Sequence, residues 1–91
     1  MINISADTVI QALDYPQLIA ALRQDFSGDI CVPPRSHFDM DNPHASTETT
    51  LLIMPAWQAG GFSGVKLVTV APDNSQINLP SIQGSYLLFE V

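Results

Sequence analysis

The sequence predicts an α+β fold: two N-terminal helices followed by a mainly antiparallel sheet. Apolar residues recur at helical spacing as far as Phe26. Beyond residue 50 the apolar runs are short and bounded by Gly, Pro and Asn. The connections between those runs are also short, which favours neighbouring strands in one sheet.

Residues 2–4 read as a short strand. Ser5 is placed as a helix N-cap, with Ile4 and Val9 positioned as a hydrophobic staple. Val9, Ile10 and Leu13 give the first helix its apolar face. Asp14-Tyr15-Pro16 breaks and restarts the helix, because proline is tolerated in a first turn. Leu18, Ile19, Leu22 and Phe26 then keep the helical spacing, and Gly28 is the expected stop. Val32-Pro33-Pro34 favours extended chain and excludes a central strand at that point. Residues 39–48 are polar and turn-like. Thr50 to Met54 is an apolar strand that Pro55 is expected to end, and Gly60-Gly61 supports a hairpin turn. Gly64 to Ala71 is the next strand, closed by Pro72-Asp73-Asn74-Ser75. Residues 81–91 form the last.

The chain has 91 residues, 46% of them apolar and only 13% charged. A typical soluble domain is about 25% charged. A chain this short buries only roughly 60–65% of its unfolded surface. The shortage of charge predicts that some apolar surface is covered by further chain or a partner. The last strand is still apolar at Val91, which predicts that these residues are the front part, a single partial domain, of a longer protein.

The net charge of −6 excludes a nucleic-acid binder, which needs clustered Lys and Arg, and disfavours an anionic membrane surface. Cys31 has no partner for an internal disulfide, so a reducing cytoplasm is expected. The N-terminus lacks the basic and apolar segments of a signal peptide, and no run approaches the ~20 apolar residues of a membrane span.

Three basic residues carry the candidate chemistry. Arg23 lies off the apolar stripe of the second helix and reads as a solvated face residue. Arg35 follows two prolines that stiffen its backbone; it is either a loop arginine or a two-pronged carboxylate ligand. Lys66 sits inside Gly64-Val65-Lys66-Leu67-Val68-Thr69-Val70, sharing a strand face with Val68 and Val70. Such a lysine either snorkels at a sheet edge or serves a pocket, in proton transfer or anion contact. No metal site is expected. Asp39-Met40-Asp41-Asn42-Pro43-His44 fails the calcium-loop pattern, and His37, His44 and Cys31 lack zinc-ligand spacing. Gly60-Gly61-Phe62-Ser63-Gly64 is no dinucleotide fingerprint.

Four segments then occur in order: Val32-Pro33-Pro34-Arg35, Leu51-Leu52-Ile53-Met54-Pro55-Ala56-Trp57, Gly64 to Val70, and Leu79-Pro80-Ser81-Ile82-Gln83-Gly84. Together they resemble the N-terminal region of the ornithine cyclodeaminase/mu-crystallin family. The resemblance implies a substrate-binding and dimerisation domain, with a Rossmann domain for NAD(P)H further along and no cofactor held by residues 1–91. It implies that Arg35 holds a substrate carboxylate, that Lys66 is the active-site lysine near the imine and carboxylate, and that Met54 lies beside the pocket. The substrate would be a small cyclic imino acid or amino acid, and the assembly a homodimer formed through the sheet. Ornithine cyclodeaminases carry an acid two positions before the Met-Pro pair, where this chain has Leu52. That favours the branch reducing cyclic ketimines such as Δ1-pyrroline-2-carboxylate. A cyclodeaminase and a non-catalytic ligand-binding module stay open as alternatives.

Overall fold

The computed structural model describes residues 1–90. Val91, where the last strand is predicted to end, lies outside the described residues. The chain falls into two compact units, Met1–Ile30 and a second beginning at Cys31.

The first unit holds two helices, α1 (Ala6–Ala12) and α2 (Tyr15–Phe26). Each begins on a side-chain cap. The Ser5 hydroxyl accepts a hydrogen bond from the Thr8 N–H at 3.2 Å, and the Asp14 carboxylate accepts from the Gln17 N–H at 2.8 Å. These caps satisfy N–H groups that have no partner within the helix. Pro16 stands in the first turn of α2, where a missing N–H costs nothing. Residues 2–4 are not a strand; they are exposed and irregular. α2 stops just ahead of Gly28 as expected, and the Gly28 N–H donates to the Asp25 carbonyl at 3.1 Å, though Gly28 is not in the left-handed region. Ser27 ends α2 with its N–H turned back on the Gln24 and Asp25 carbonyls, in the ordinary right-handed region. Neither helix buries a residue, and Leu18 alone among the helical residues is half-buried.

The second unit is a mainly antiparallel sheet: β1 (Ile30–Cys31, straddling the boundary), β2 (Ser36–Met40), β3 (Thr49–Gln58), β4 (Phe62–Val70) and β5 (Ile82–Glu90). The order is β1-β3-β4-β5, with β2 also paired to β3. A 3-10 helix, Pro72–Ile77, links β4 to β5. The fold is therefore α+β. Val68 is the buried apolar side chain among the described residues, at 8% exposure.

Four boundaries depart from the sequence reading. Asp39 and Met40 belong to β2, opposite Thr50 and Thr49, and not to a turn. β1 carries no sequence signal beyond two apolar residues. The Pro72–Ser75 turn is the start of the 3-10 helix, which ends on Asn78 in the left-handed region, a conformation asparagine tolerates. Pro55 does not end β3; it pairs with Val65 inside a ten-residue strand. The β2 pairing stops at Ile53. β1 also pairs with β3 on the side away from β4. The Gly60-Gly61 turn forms as expected. Gly60 has φ 72°, which glycine adopts without a Cβ clash, and the Gly61 N–H donates to the Gln58 carbonyl.

Candidate functional site

Antiparallel pairing puts residues that face each other across the ladder on the same side of the sheet. Met54 pairs with Lys66, and Lys66 pairs with Tyr86. Arg35 directly precedes Ser36, the first residue of β2, whose partner is Ile53, the neighbour of Met54. The result is one row across three strands, Met54, Lys66 and Tyr86, with Arg35 in the chain just ahead of β2. Strands lie about 4.8 Å apart, so β2 and β4 stand on either side of β3 with roughly 10 Å between them. The neighbouring row is His37, Leu52, Val68 and Gly84. Met54 and Leu52 thus make an apolar floor between two basic flanks.

Of the three residues expected from the sequence, Met54 and Lys66 are paired on one face, and Arg35 lies one residue before β2. Among the described residues neither Arg35 nor Lys66 has a salt-bridge partner. Both are exposed. Arg23 lies in the helical unit, on α2. The two cations of the sheet unit, Arg35 just ahead of β2 and Lys66 on β4, thus stand on either side of β3, in a chain of net charge −6. The row suits an anion of small size lying over apolar side chains.

Sequence reasoning passed over two features of this face. Tyr86 leans along the strand so that its ring and hydroxyl cover Gly64; a Cβ on Gly64 would collide with them. This is why Gly64 is buried while Tyr86 is exposed. The second is a hydrogen-bonded set on β2 and β3. His37 Nε2 lies 2.8 Å from Asp39 Oδ1, and the Thr50 hydroxyl donates to the same oxygen at 2.9 Å. The bonds from His37 and then Thr50 hold the Asp39 carboxyl below its ordinary value. The i, i+2 spacing of His37 and Asp39 signals a shared strand face, but only once residues 39–40 are read as strand.

A cleft of about 500 Å³ lies elsewhere in this unit, lined by Asn42, Pro43, His44, Asp73 and Ile77 among others. Asp73 accepts bonds from both the N–H and hydroxyl of Ser46, each 2.7 Å, which pull its carboxyl below the ordinary value. The cleft carries no Lys or Arg and is not the anion site. No group of side chains among the described residues is arranged to hold a metal ion. A nicotinamide dinucleotide does not fit these residues. Among them no glycine loop joins a strand to a helix N-terminus, where a pyrophosphate would sit. Among the described residues no helix is long and apolar enough to cross a membrane.

No family model matches the chain. It is 42% identical over 87 residues to an uncharacterised protein of Schizosaccharomyces pombe, covering 93% of this chain and 26% of that protein. It is 30% identical over 88 residues to a Δ1-pyrroline-2-carboxylate reductase of Colwellia psychrerythraea, covering 96% of this chain and 28% of the reductase. The chain thus spans about a quarter of the length of the curated relatives it matches. Among solved structures, an archaeal alanine dehydrogenase dimer with bound NAD superposes with a TM-score of 0.72 at 21% identity, over 93% of this chain and 26% of that one. The latter likeness is one of fold.

Proposed function

We propose that this chain is the substrate-binding sheet of an NAD(P)H-dependent reductase of cyclic ketimines such as Δ1-pyrroline-2-carboxylate, and that it is inactive alone. The carrying observation is that Met54 and Lys66 are paired on one sheet face, with Arg35 directly ahead of β2 on the other side of β3. In this reading the Arg35 guanidinium takes the carboxylate through two parallel N–H bonds. The five-membered ring lies over Met54 and Leu52. The Lys66 ammonium meets the other side, near the imine and carboxylate. The dihydronicotinamide that would supply hydride is held by chain outside these residues. Similarity to the Colwellia reductase supports the substrate class.

Leu52 bears on the alternative. It stands in the row next to Met54, paired with His37 and Val68. A leucine there offers nothing to the side-chain ammonium of ornithine, which disfavours the cyclodeaminase reading. Association is part of the proposal. β5 is the last strand in the order, and Tyr86, Leu88 and Phe89 on it are exposed. A second copy joined through the sheet would cover them. Sedimentation as a monomer at high concentration would count against this.

The whole protein is expected to consume NAD(P)H when given Δ1-pyrroline-2-carboxylate. Arg35→Ala and Lys66→Ala should each lower kcat/KM by at least about 10²-fold, the scale of a lost charged hydrogen bond. Arg23→Ala, on the helical unit, should leave it unchanged. Normal turnover in the Arg35 and Lys66 variants would sink the reading. Ammonia release from ornithine would replace it with the cyclodeaminase.

A further inference from the structure

We propose that His37, aimed by Asp39, is the acid–base residue of this face and hands a proton to the imine nitrogen of the bound cyclic imino acid; this rests on the reading above. Three observations carry it. The first is position. His37 is the second residue of β2, two positions after Arg35 in the chain, and is paired with Leu52 of the apolar floor. A ligand whose carboxylate is held at Arg35, with its ring over Met54 and Leu52, brings its nitrogen within reach of that imidazole.

The second is the direction in which the ring is held. The Asp39 carboxylate only accepts hydrogen bonds, so the 2.8 Å contact requires the hydrogen on His37 Nε2. Nδ1 is then the atom left to gain or lose a proton. The third is the support beneath it. Thr50 on β3 donates to the same Asp39 oxygen, which fixes the carboxylate and through it the ring. This is the one salt-bridged pair among the described residues, and it stands on the face that bears Lys66.

The transfer needs no redox partner. The N–H bond at Nδ1 of the imidazolium breaks, the same proton bonds to the imine nitrogen, and the products are neutral imidazole and an iminium ion. The charged or titratable groups near His37 are Asp39 on β2, Arg35 just ahead of it, and Lys66 on β4 in the neighbouring row; Tyr86 and Glu90 on β5 share the sheet face farther off. A carboxylate bound at Arg35 sets a negative charge beside His37, so the ligand itself prepares His37 to carry the proton.

The chain has two histidines, and His44, in the loop after β2, serves as an internal control. The test is to record imidazole ¹⁵N resonances of both while titrating between about pH 5 and 9, around the ordinary histidine range. It is run with and without Δ1-pyrroline-2-carboxylate, and in the Asp39→Asn variant. The expected results are the Nε2–H tautomer for free His37 and a rise of its midpoint by about one pH unit or more with ligand. His44 should not move, and Asp39→Asn should lose the tautomer preference. An Nδ1–H tautomer would overturn the proposal. So would a His37 midpoint unmoved by ligand while Arg35 and Lys66 resonances shift, and this would leave the reading of the row intact. If no resonance on this face responds to the ligand, the reading of the row fails and the proposal with it.

Discussion

The helical unit and the sheet unit are built on opposite principles. In the first, nearly everything that defines the structure is local. Ser5 and Asp14 each bond an N–H three residues on, and Pro16 sits where the first turn tolerates it. Yet neither helix buries a residue. In the second, local signals are weak or misleading. A proline lies inside β3, and a polar segment that reads as a turn is half of β2. There the long-range ladder supplies the order, and with it the buried Val68 and the row of candidate residues. Caps decide where a helix starts, but they do not make a core. Register makes both the core and the site.

This contrast can be broken at its strongest point first. Val68→Ala removes two methyl groups from the buried position and should cost about 2 kcal/mol. The readout is the urea midpoint followed by the fluorescence of Trp57, which lies on β3. Leu18→Ala, at the half-buried position of α2, should cost under about 1 kcal/mol. A larger cost at Leu18 than at Val68 would overturn the comparison. Next in size, Ser5→Ala and Asp14→Ala should each weaken their helix by about 1 kcal/mol, seen as lost helical signal in far-ultraviolet circular dichroism. Unchanged helix content would mean that the caps do not set these starts.

The smallest effect sharpens the sheet side. Asp39 and Asp73 both have their carboxyls held below the ordinary value of 3.8 by hydrogen bonds, from His37 and Thr50 in one case and from Ser46 first in the other. A depressed carboxyl contributes stability that is fully present above the ordinary value and is lost as pH falls through the folded one. Acidification below about pH 4 should therefore loosen the sheet unit, and Asp39→Asn or Asp73→Asn should remove part of that dependence. Both carboxylates are solvated, so the change is small. An acid titration of Trp57 fluorescence identical in all three proteins would refute it.

The fold class was legible because it rests on local chemistry. The break at Asp14-Tyr15-Pro16, the Gly60-Gly61 turn and the alternation through Lys66 are each readable from a few residues. The sharing of a face by Lys66, Val68 and Val70 followed from alternation alone. What was not legible depends on partners distant in sequence. Pro55 is a strand residue paired with Val65 on β4, and no nearby residue announces that. Asp39 is a strand residue because Thr50 lies across from it and bonds its carboxylate. Tyr86 gave no signal as part of the site, since its relation to Lys66 and Gly64 exists only in the β4–β5 register. Arg35 and Lys66 were legible as candidate cations and Met54 came from resemblance; the pairing of Met54 with Lys66 is a property of the ladder.

The ring of Tyr86 over Gly64 has a consequence for how this surface can change over generations. Because the tyrosine occupies the space a side chain at position 64 would need, the two positions are not free to vary separately. Any substitution at Gly64 displaces the ring, and a smaller residue at 86 exposes the β4 backbone beside Lys66. Substitutions here should arrive as pairs, with a larger residue at 64 accompanied by a smaller or redirected one at 86. A set of diverged sequences would show that exchange as correlated variation across two strands, 22 positions apart in the chain.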